Sequence, residues 1–325
     1  MFGEFELIER FLKPTALPEG EHGVALGCGD DAALLTPSAG HQLVVSVDTS
    51  NADVHFPFDA PAEAIGHRAL AVALSDLAAM GARARWCAMA LTQGREGFAD
   101  REQALCWFDA YARGFHALCT RHQAALVGGD VTAGPLGVSV TVMGEVPTGQ
   151  ALRRDGARPG DLIAVTGALG GGAGGLHLWQ QGERDMAHPL LKRYLLPEPR
   201  VEAGIALRGL ASAALDISDG LLADLGHLRH ASHVGAELDP AALPAADGLL
   251  AALGEDAARK AMLGGGDDYE LLITLSPDNV AQAEQALATL GLTLTVIGRC
   301  RAEPGVSGIA SFEAEGWQHF TRGAP

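Results

Sequence analysis

"GVSVTVMGEVPTGQALRRDGARPGDLIAVTGALGGGAGGL", residues 137–176, holds the signal that decides the architecture. Over 137–146 apolar and small polar residues alternate, as a half-buried strand requires. The next stretch, 147–161, is rich in turn-formers and charge and has no apolar periodicity, which marks a domain boundary. "LIAVTG" (162–167) then starts a second strand, which runs into a glycine-rich turn and a helix reaching about residue 181. A chain of 325 residues is long enough to bury a core on each side of that boundary. The expected domains are therefore 1–148 and 149–325.

Both halves mix strands and helices. Upstream, "QLVVSV" (42–47), "WCAMAL" (86–91) and "AALVGG" (124–129) read as strands, with helices over about 62–80 and 101–122. Leu70, Ala73, Leu74, Leu77 and Ala78 recur at spacings of three and four and give the first helix one apolar face. Downstream, helices fit 199–209, 219–232 and 279–290, and strands fit 271–275 and 294–298. The Ala-rich stretch 240–262 reads as helix and loop. The fold class is α/β in an α+β manner, built as two mixed domains.

Composition narrows the functions. Hydrophobic residues make up 48% of the chain, which argues for a folded protein, and the net charge of −17 disfavours nucleic acid and anionic membranes as partners. No apolar run approaches the ~18–20 residues of a membrane span, and the acidic "MFGEFELIERFLKP" lacks the basic region of a secretory signal. A cytoplasmic location is expected. The five cysteines are scattered without a Cys-x-x-Cys pair, which gives neither a zinc site nor a disulfide framework. Cys28 reads as a small buried filler with no basic neighbour to lower its pKa.

The aspartates carry the chemistry. "GDDAA" (29–33), "SVDTSNADVHF" (46–56), "SDLAAMGA" (75–82), "GGDVT" (128–132), "DISDGL" (216–221) and "GGGDDYEL" (264–271) each set acids beside glycine or serine at the ends of predicted elements. Taken singly, each has a structural explanation. Asp30–Asp31 and Asp130 fit turns, Asp48 fits the end of a strand, and Ser218–Asp219 fits a helix N-cap with a first-turn acid. Asp76 is harder to explain, because an acid in the last turn of a helix opposes the helix dipole and calls for positive compensation. Taken together, strand-end carboxylates suit hard cations such as Mg²⁺, which bind through one or two carboxylates and substrate phosphates. Such a site is a cradle for a polyphosphate. The glycine loop at 167–175 lacks the Lys-Ser/Thr of a P-loop, which leaves open a structural turn or a phosphate contact.

The phrases "GEFELIERF", "GDDAALL", "VDTSNADVHF", "ALAVALSDLAAMGA", "GGDVT", "RRDGARPGD", "DISDGLLADLGHL" and "GGGDDYELL" occur in one order over nearly the whole chain. That series resembles the thiamine-monophosphate kinase family, within the wider superfamily of aminoimidazole ribonucleotide synthetase. The resemblance implies an N-terminal domain that binds metal and ATP and pairs strands across a homodimer, and a C-terminal domain that completes the ATP cleft. It implies transfer of the ATP γ-phosphate onto thiamine monophosphate, assisted by several Mg²⁺ ions and without a general base. By position, Asp31, Ser46, Asp48, Asp76 and Asp130 match magnesium-site residues, and Asp216 and Asp219 match ligands of further ions. Gly129, Asp130, Arg154 and Ser218 match nucleotide contacts, and His55 and Asp267 match substrate contacts. A C-terminal aromatic over the thiamine would be Trp317, with Phe312 the next candidate.

The chain departs from the family pattern in places. Val47 stands where relatives can carry a hydroxyl residue, the glycine loop lacks acidic and serine residues, and Asp267 replaces a longer Glu. Two other readings remain open: another ATP-using synthetase of the same superfamily, and a maturation scaffold without catalysis.

Overall fold

In a computed structural model that describes residues 4–7, 10, 11, 13, 21–94 and 98–309, the chain divides at Gly149. One compact unit comprises Met1–Leu77 and Ala82–Gly149, and the other comprises Ala78–Gly81 and Gln150–Pro325. Trp317 and Phe312 lie outside the described residues.

The first unit contains α1 (Glu4–Leu7), β1 (Val24–Leu26), β2 (Leu34–Leu35), β3 (His41–Asn51), all but the last two residues of α2 (Ala62–Ala79), β4 (Arg83–Thr92), α3 (Arg101–His122), β5 (Ala125–Thr132) and β6 (Gly137–Pro147). Its sheet runs in the order β3-β6-β4-β5, antiparallel except for the β4–β5 pair. One face buries an apolar row formed by Val138, Val140, Val142, Cys87, Met89 and Leu91. The other face is covered at one end by the β1–β2 ribbon, whose Val24 and Leu35 pack on Trp86, Ala125 and Val127.

Helix α3 forms where its ends are satisfied. Asp100 accepts from the Gln103 N–H at 2.8 Å at the N-terminus, and Gln123 closes the C-terminus in the left-handed region at φ 54°. Arg121 and His122 sit in the last turn, where a cation suits the helix dipole. Helices α2 and α3 approach each other through glycine. A Cβ on Gly66 would stand 2.1 Å from the Tyr111 carbonyl oxygen, and one on Gly114 would stand 1.9 Å from the Glu63 carbonyl oxygen.

The second unit contains β7 (Leu162–Thr166), α4 (Gly171–Gln180), α5 (Pro189–Leu195), α6 (Val201–Ala206), β8 (Ala211–Asp216), α7 (Leu221–Ser232), β9 (Gly235–Leu238), α8 (Leu249–Leu253), α9 (Glu255–Gly264), β10 (Leu271–Leu275), α10 (Val280–Ala288), β11 (Leu294–Arg301) and β12 (Val306–Ser307). The strands pair in the order β12-β9-β11-β7-β10-β8, antiparallel except for β12 on β9. Ile163, Val165, Leu215, Leu272 and Ile297 from the sheet join Leu190, Leu221, Leu225, Leu228 and Leu249 from the helices in one core.

The strands β8 and β9 and the helix α5 were not legible in the sequence. "ASAALD" is poor in β-formers, and it becomes a strand because β10 supplies its hydrogen-bonding partner. The Ala-rich stretch after 240 resolves into α8 and α9, broken by Gly254 at φ 74°. Asp48 does not end its strand, because β3 continues to Asn51. Asp130 is not in a turn but within β5. No helix among the described residues is long and apolar enough to cross a membrane.

In an exposed helix, alanine is favoured over glycine by about 1 kcal/mol. At Gly114 the sign reverses, because the added methyl would overlap the Glu63 carbonyl. Gly114→Ala is expected to lower stability by about 1–3 kcal/mol, read as a lower midpoint in urea denaturation with an unchanged slope.

Candidate active site

In the first unit, side chains alternate across the sheet, so register decides which acids share a face. Asp48 lies opposite Val140, which lies opposite Met89, which pairs with Gly129. Thr49, Ser139, Ala90 and Asp130 form the next row and point to the other face. The predicted acids therefore fall into two groups.

On the helix face, Ser46 and Asp48 are half-buried and the Ser46 hydroxyl donates to the Asp76 carboxylate. This hydroxyl meets the acid in the last turn of α2. On the face shared with the β1–β2 ribbon, Asp130 is exposed, and so is Asp31 in the bend after β1, where its N–H donates to the Asp30 carboxylate at 2.8 Å. Gly129 beside it admits the β4 backbone, since a Cβ would stand 1.9 Å from the Met89 carbonyl oxygen. Hydroxyls border Asp130, with Thr49 and Ser139 2.7 Å apart and Thr92 and Thr132 3.0 Å apart.

Cys28 is half-buried rather than fully enclosed, and Lys13 does act on it. Burial pushes its thiol up and outweighs the lowering by the Lys13 charge. The reading of an inert thiol stands for a different reason from the one the sequence offered. His55 sits in the loop after β3, its Nδ1 accepting from the Asn51 N–H at 3.0 Å.

In the second unit, the "DISDGL" and "GGGDDYEL" phrases lie backbone to backbone. The Asp267 N–H donates to the Ser218 carbonyl, the Tyr269 N–H donates to the Ile217 carbonyl, and the Ile217 N–H returns to the Glu270 carbonyl, each at 2.8 Å. Ser218 is not the N-cap of α7. That position is Gly220, which supplies no side-chain cap. The cap is Asp224, whose Oδ2 accepts from the Ser218, Asp219 and Gly220 N–H groups at 3.1 Å each. Sequence reasoning missed it because an acid inside a helix's first turn ordinarily serves the dipole alone. Burial, then the charges of Asp216 and Asp219, push the Asp224 carboxyl up to about 7. Arg154 is exposed, and its carbonyl accepts from the Ser232 hydroxyl at 2.6 Å. The segment that reads as a linker is thereby tied to the end of α7.

Two N–H groups of the glycine loop are already taken by a side chain. Asp268, buried beneath it, accepts from the Gly170 N–H at 2.8 Å and the Gly172 N–H at 3.3 Å at the start of α4. A carboxylate already holds the place an anion would take at that helix N-terminus. The glycines are needed for close packing: a Cβ on Gly167 would stand 2.2 Å from the Glu270 carboxylate, and one on Gly172 2.4 Å from the Asp267 carbonyl oxygen. Glu270 has no exposed surface. It accepts from Arg200 at 2.7 and 2.5 Å, from Arg193 at 2.7 Å and from the Thr166 hydroxyl at 2.8 Å.

The donor chemistry fits Mg²⁺. Every candidate ligand offers oxygen, and the field of Asp216 and Asp219 on Asp224 is one that a divalent cation would relieve. Among the described residues, no group of three or more His, Cys, Asp or Glu stands close enough to hold an ion. An ion here would be held by one or two carboxylates together with phosphate oxygens.

Residues 29–146 match the family described as AIR synthase related protein, N-terminal domain, and residues 158–311 match its C-terminal domain. The thiamine-monophosphate kinase of Salmonella typhimurium strain LT2 is 39% identical, over 98% of each chain. The crystal structure of thiamine-monophosphate kinase from Stenotrophomonas maltophilia K279a superposes with a TM-score of 0.82 at 47% identity, covering 93% of this chain and 94% of that one. AaThiL complexed with AMPPCP and TMP superposes with a TM-score of 0.77 at 28% identity, covering 97% and 96%.

Burial drives the Asp268 carboxyl up to about 7 from an ordinary 3.8, outweighing the two backbone N–H groups that favour its charged form. A carboxyl with a raised folded pKa binds more protons folded than unfolded, so its contribution falls as pH rises through that interval. Relative to Asp268→Asn, the protein is expected to lose up to roughly 4 kcal/mol between pH ~4 and ~7. Paired urea denaturations across that range check the slope.

Proposed function

Because the chain belongs to the thiamine-monophosphate kinase family, we propose that it transfers the ATP γ-phosphate directly to the phosphate of thiamine monophosphate, giving thiamine diphosphate and ADP. The observation that carries this reading is near-full-length similarity to a protein whose complex holds AMPPCP and TMP. The acceptor is a phosphate oxygen, already ionised at neutral pH, so the chain needs no general base and no covalent intermediate.

The chain's own residues then bind and orient. On the first unit, Ser46, Asp48 and Asp76 would hold Mg²⁺ from one sheet face and Asp31 and Asp130 from the other, and on the second unit Asp216 and Asp219 would hold further ions. When bound, Mg²⁺ neutralises phosphate charge and offsets the charge that develops on transfer. Gly129, Asp130, Ser218 and Arg154 would bind the nucleotide. The exposed Arg154 guanidinium can donate two parallel hydrogen bonds to phosphate oxygens. His55 and Asp267 would contact thiamine monophosphate, with Trp317 as the aromatic partner.

A homodimer is part of this reading. The edge strand β3 leaves backbone groups for a second copy to pair with, and beside that edge it exposes Leu43, Val45 and Val47 by 48%, 53% and 60%, an apolar row that suits an interface between copies. The same row accounts for Val47: its side chain faces away from Ser46 and Asp48, so it offers the helix-face acids no ligand. The synthetase reading gains no comparable support. A selenophosphate enzyme would need a reactive cysteine, and burial holds the Cys28 thiol up.

Incubation with ATP, Mg²⁺ and thiamine monophosphate is expected to give thiamine diphosphate and ADP, identified by mass; no thiamine diphosphate at any Mg²⁺ concentration would overturn the reading. Asp130→Asn is expected to cut turnover at least a hundredfold with an unchanged thermal midpoint, since the exposed carboxylate supports no core. Asp267→Glu is expected to retain activity, and a dead variant would show that the shorter acid is a specific requirement.

A further inference from the structure

The loop between α9 and β10 presents its side chains in alternation. Asp268 and Glu270 turn one way, onto the start of α4 and onto Arg193, Arg200 and Thr166. Asp267 and Tyr269 turn together, the Tyr269 hydroxyl donating to Asp267 Oδ1 at 2.9 Å. Both residues hold left-handed backbone, at φ 60° for Asp267 and φ 51° for Tyr269. Asp adopts this region readily, but a tyrosine there is strained. The surrounding contacts impose it: the N–H groups of both residues are spent on Ser218 and Ile217, and the intervening Asp268 is buried against helix α4.

Three anchors thus fix a backbone whose outcome is one side-chain contact. Tyr269 is itself buried, with 8% of its surface exposed, so its ring cannot swing away from Asp267. An aspartate has only two side-chain torsions, and a hydrogen bond to one carboxylate oxygen is enough to fix both. The Tyr269 hydroxyl supplies that bond.

We propose that Tyr269 is a positioning residue for the phosphate acceptor, orienting the Asp267 carboxylate toward thiamine monophosphate. This rests on the assignment of Asp267 to the substrate end. The same backbone ties Asp267 to Ser218, so the device aligns the acceptor side with the nucleotide side of this unit through a single hydrogen-bonded segment.

The test is steady-state kinetics on Tyr269→Phe, Asp267→Asn and the double variant, with thermal midpoints. Loss of a hydrogen bond to a carboxylate is expected to raise KM for thiamine monophosphate about tenfold in Tyr269→Phe, with KM for ATP and the midpoint unchanged. The double variant is expected to be no worse than Asp267→Asn alone, because both remove one coupled contact. If Asp267→Asn raises that KM and Tyr269→Phe does not, the proposal fails while the role of Asp267 stands. An equal rise in both KM values with a lowered midpoint would make Tyr269 structural and overturn the proposal. If Asp267→Asn leaves KM for thiamine monophosphate unchanged, the assignment of Asp267 falls, and the proposal falls with it.

Discussion

Glu270 holds a carboxylate at a position with no solvent exposure, and the candidate site of the second unit is built around keeping that charge satisfied. Removing one partner of a buried ion pair costs about 3–5 kcal/mol, because the remaining charge is left without water or counter-ion. Arg200 supplies a two-point contact, Arg193 a third and the Thr166 hydroxyl a fourth. Burial works against the Arg200 charge, and the Glu270 hydrogen bonds together with the Glu270 and Glu198 charges outweigh it. Since Arg193 lies on α5, Arg200 at the start of α6 and Thr166 at the end of β7, this one carboxylate gathers three elements around the loop that carries Asp267. Gly167 follows from the same requirement, as any side chain there would occupy the space of Glu270.

The first unit answers a different constraint, the separation of like charges. Its acids are divided between two sheet faces, with Asp76 quieted by Ser46 on one and Asp31 and Asp130 exposed to water on the other. Concentrating them all on one apolar face would carry a large desolvation cost. The open face has hydroxyls beside Asp130 and apolar side chains along β3, so one surface offers both polar donors and a hydrophobic stripe.

Much of the architecture was legible because long amphipathic periods and strong β-formers signal their own structure. Helix α3 spans the predicted 101–122, and β10 spans the predicted 271–275. The strand β8 was not legible, since its alanines carry no preference until β10 pairs with them. Among the site residues, the phrases marked the right neighbourhoods and misread several local roles. Ser218 looked like a helix cap, yet Asp224, within the first turn, does the capping from inside the helix. Asp268 drew no notice beside Asp267, although it is the residue that takes up two N–H groups of the glycine loop.

The sequence by itself determined that this chain is a two-part α+β protein with aspartates placed beside glycine and serine, in an order that resembles one kinase family. These are properties of composition, period and adjacency, and they survive without coordinates. Only the tertiary structure decided which acids share a face, which ones serve the fold and why the glycine loop is glycine. Strand register and loop-to-loop packing are set by partners far away in the chain. A shift of one residue turns a side chain to the opposite face, and the local sequence around Asp48 or Asp130 does not contain that information.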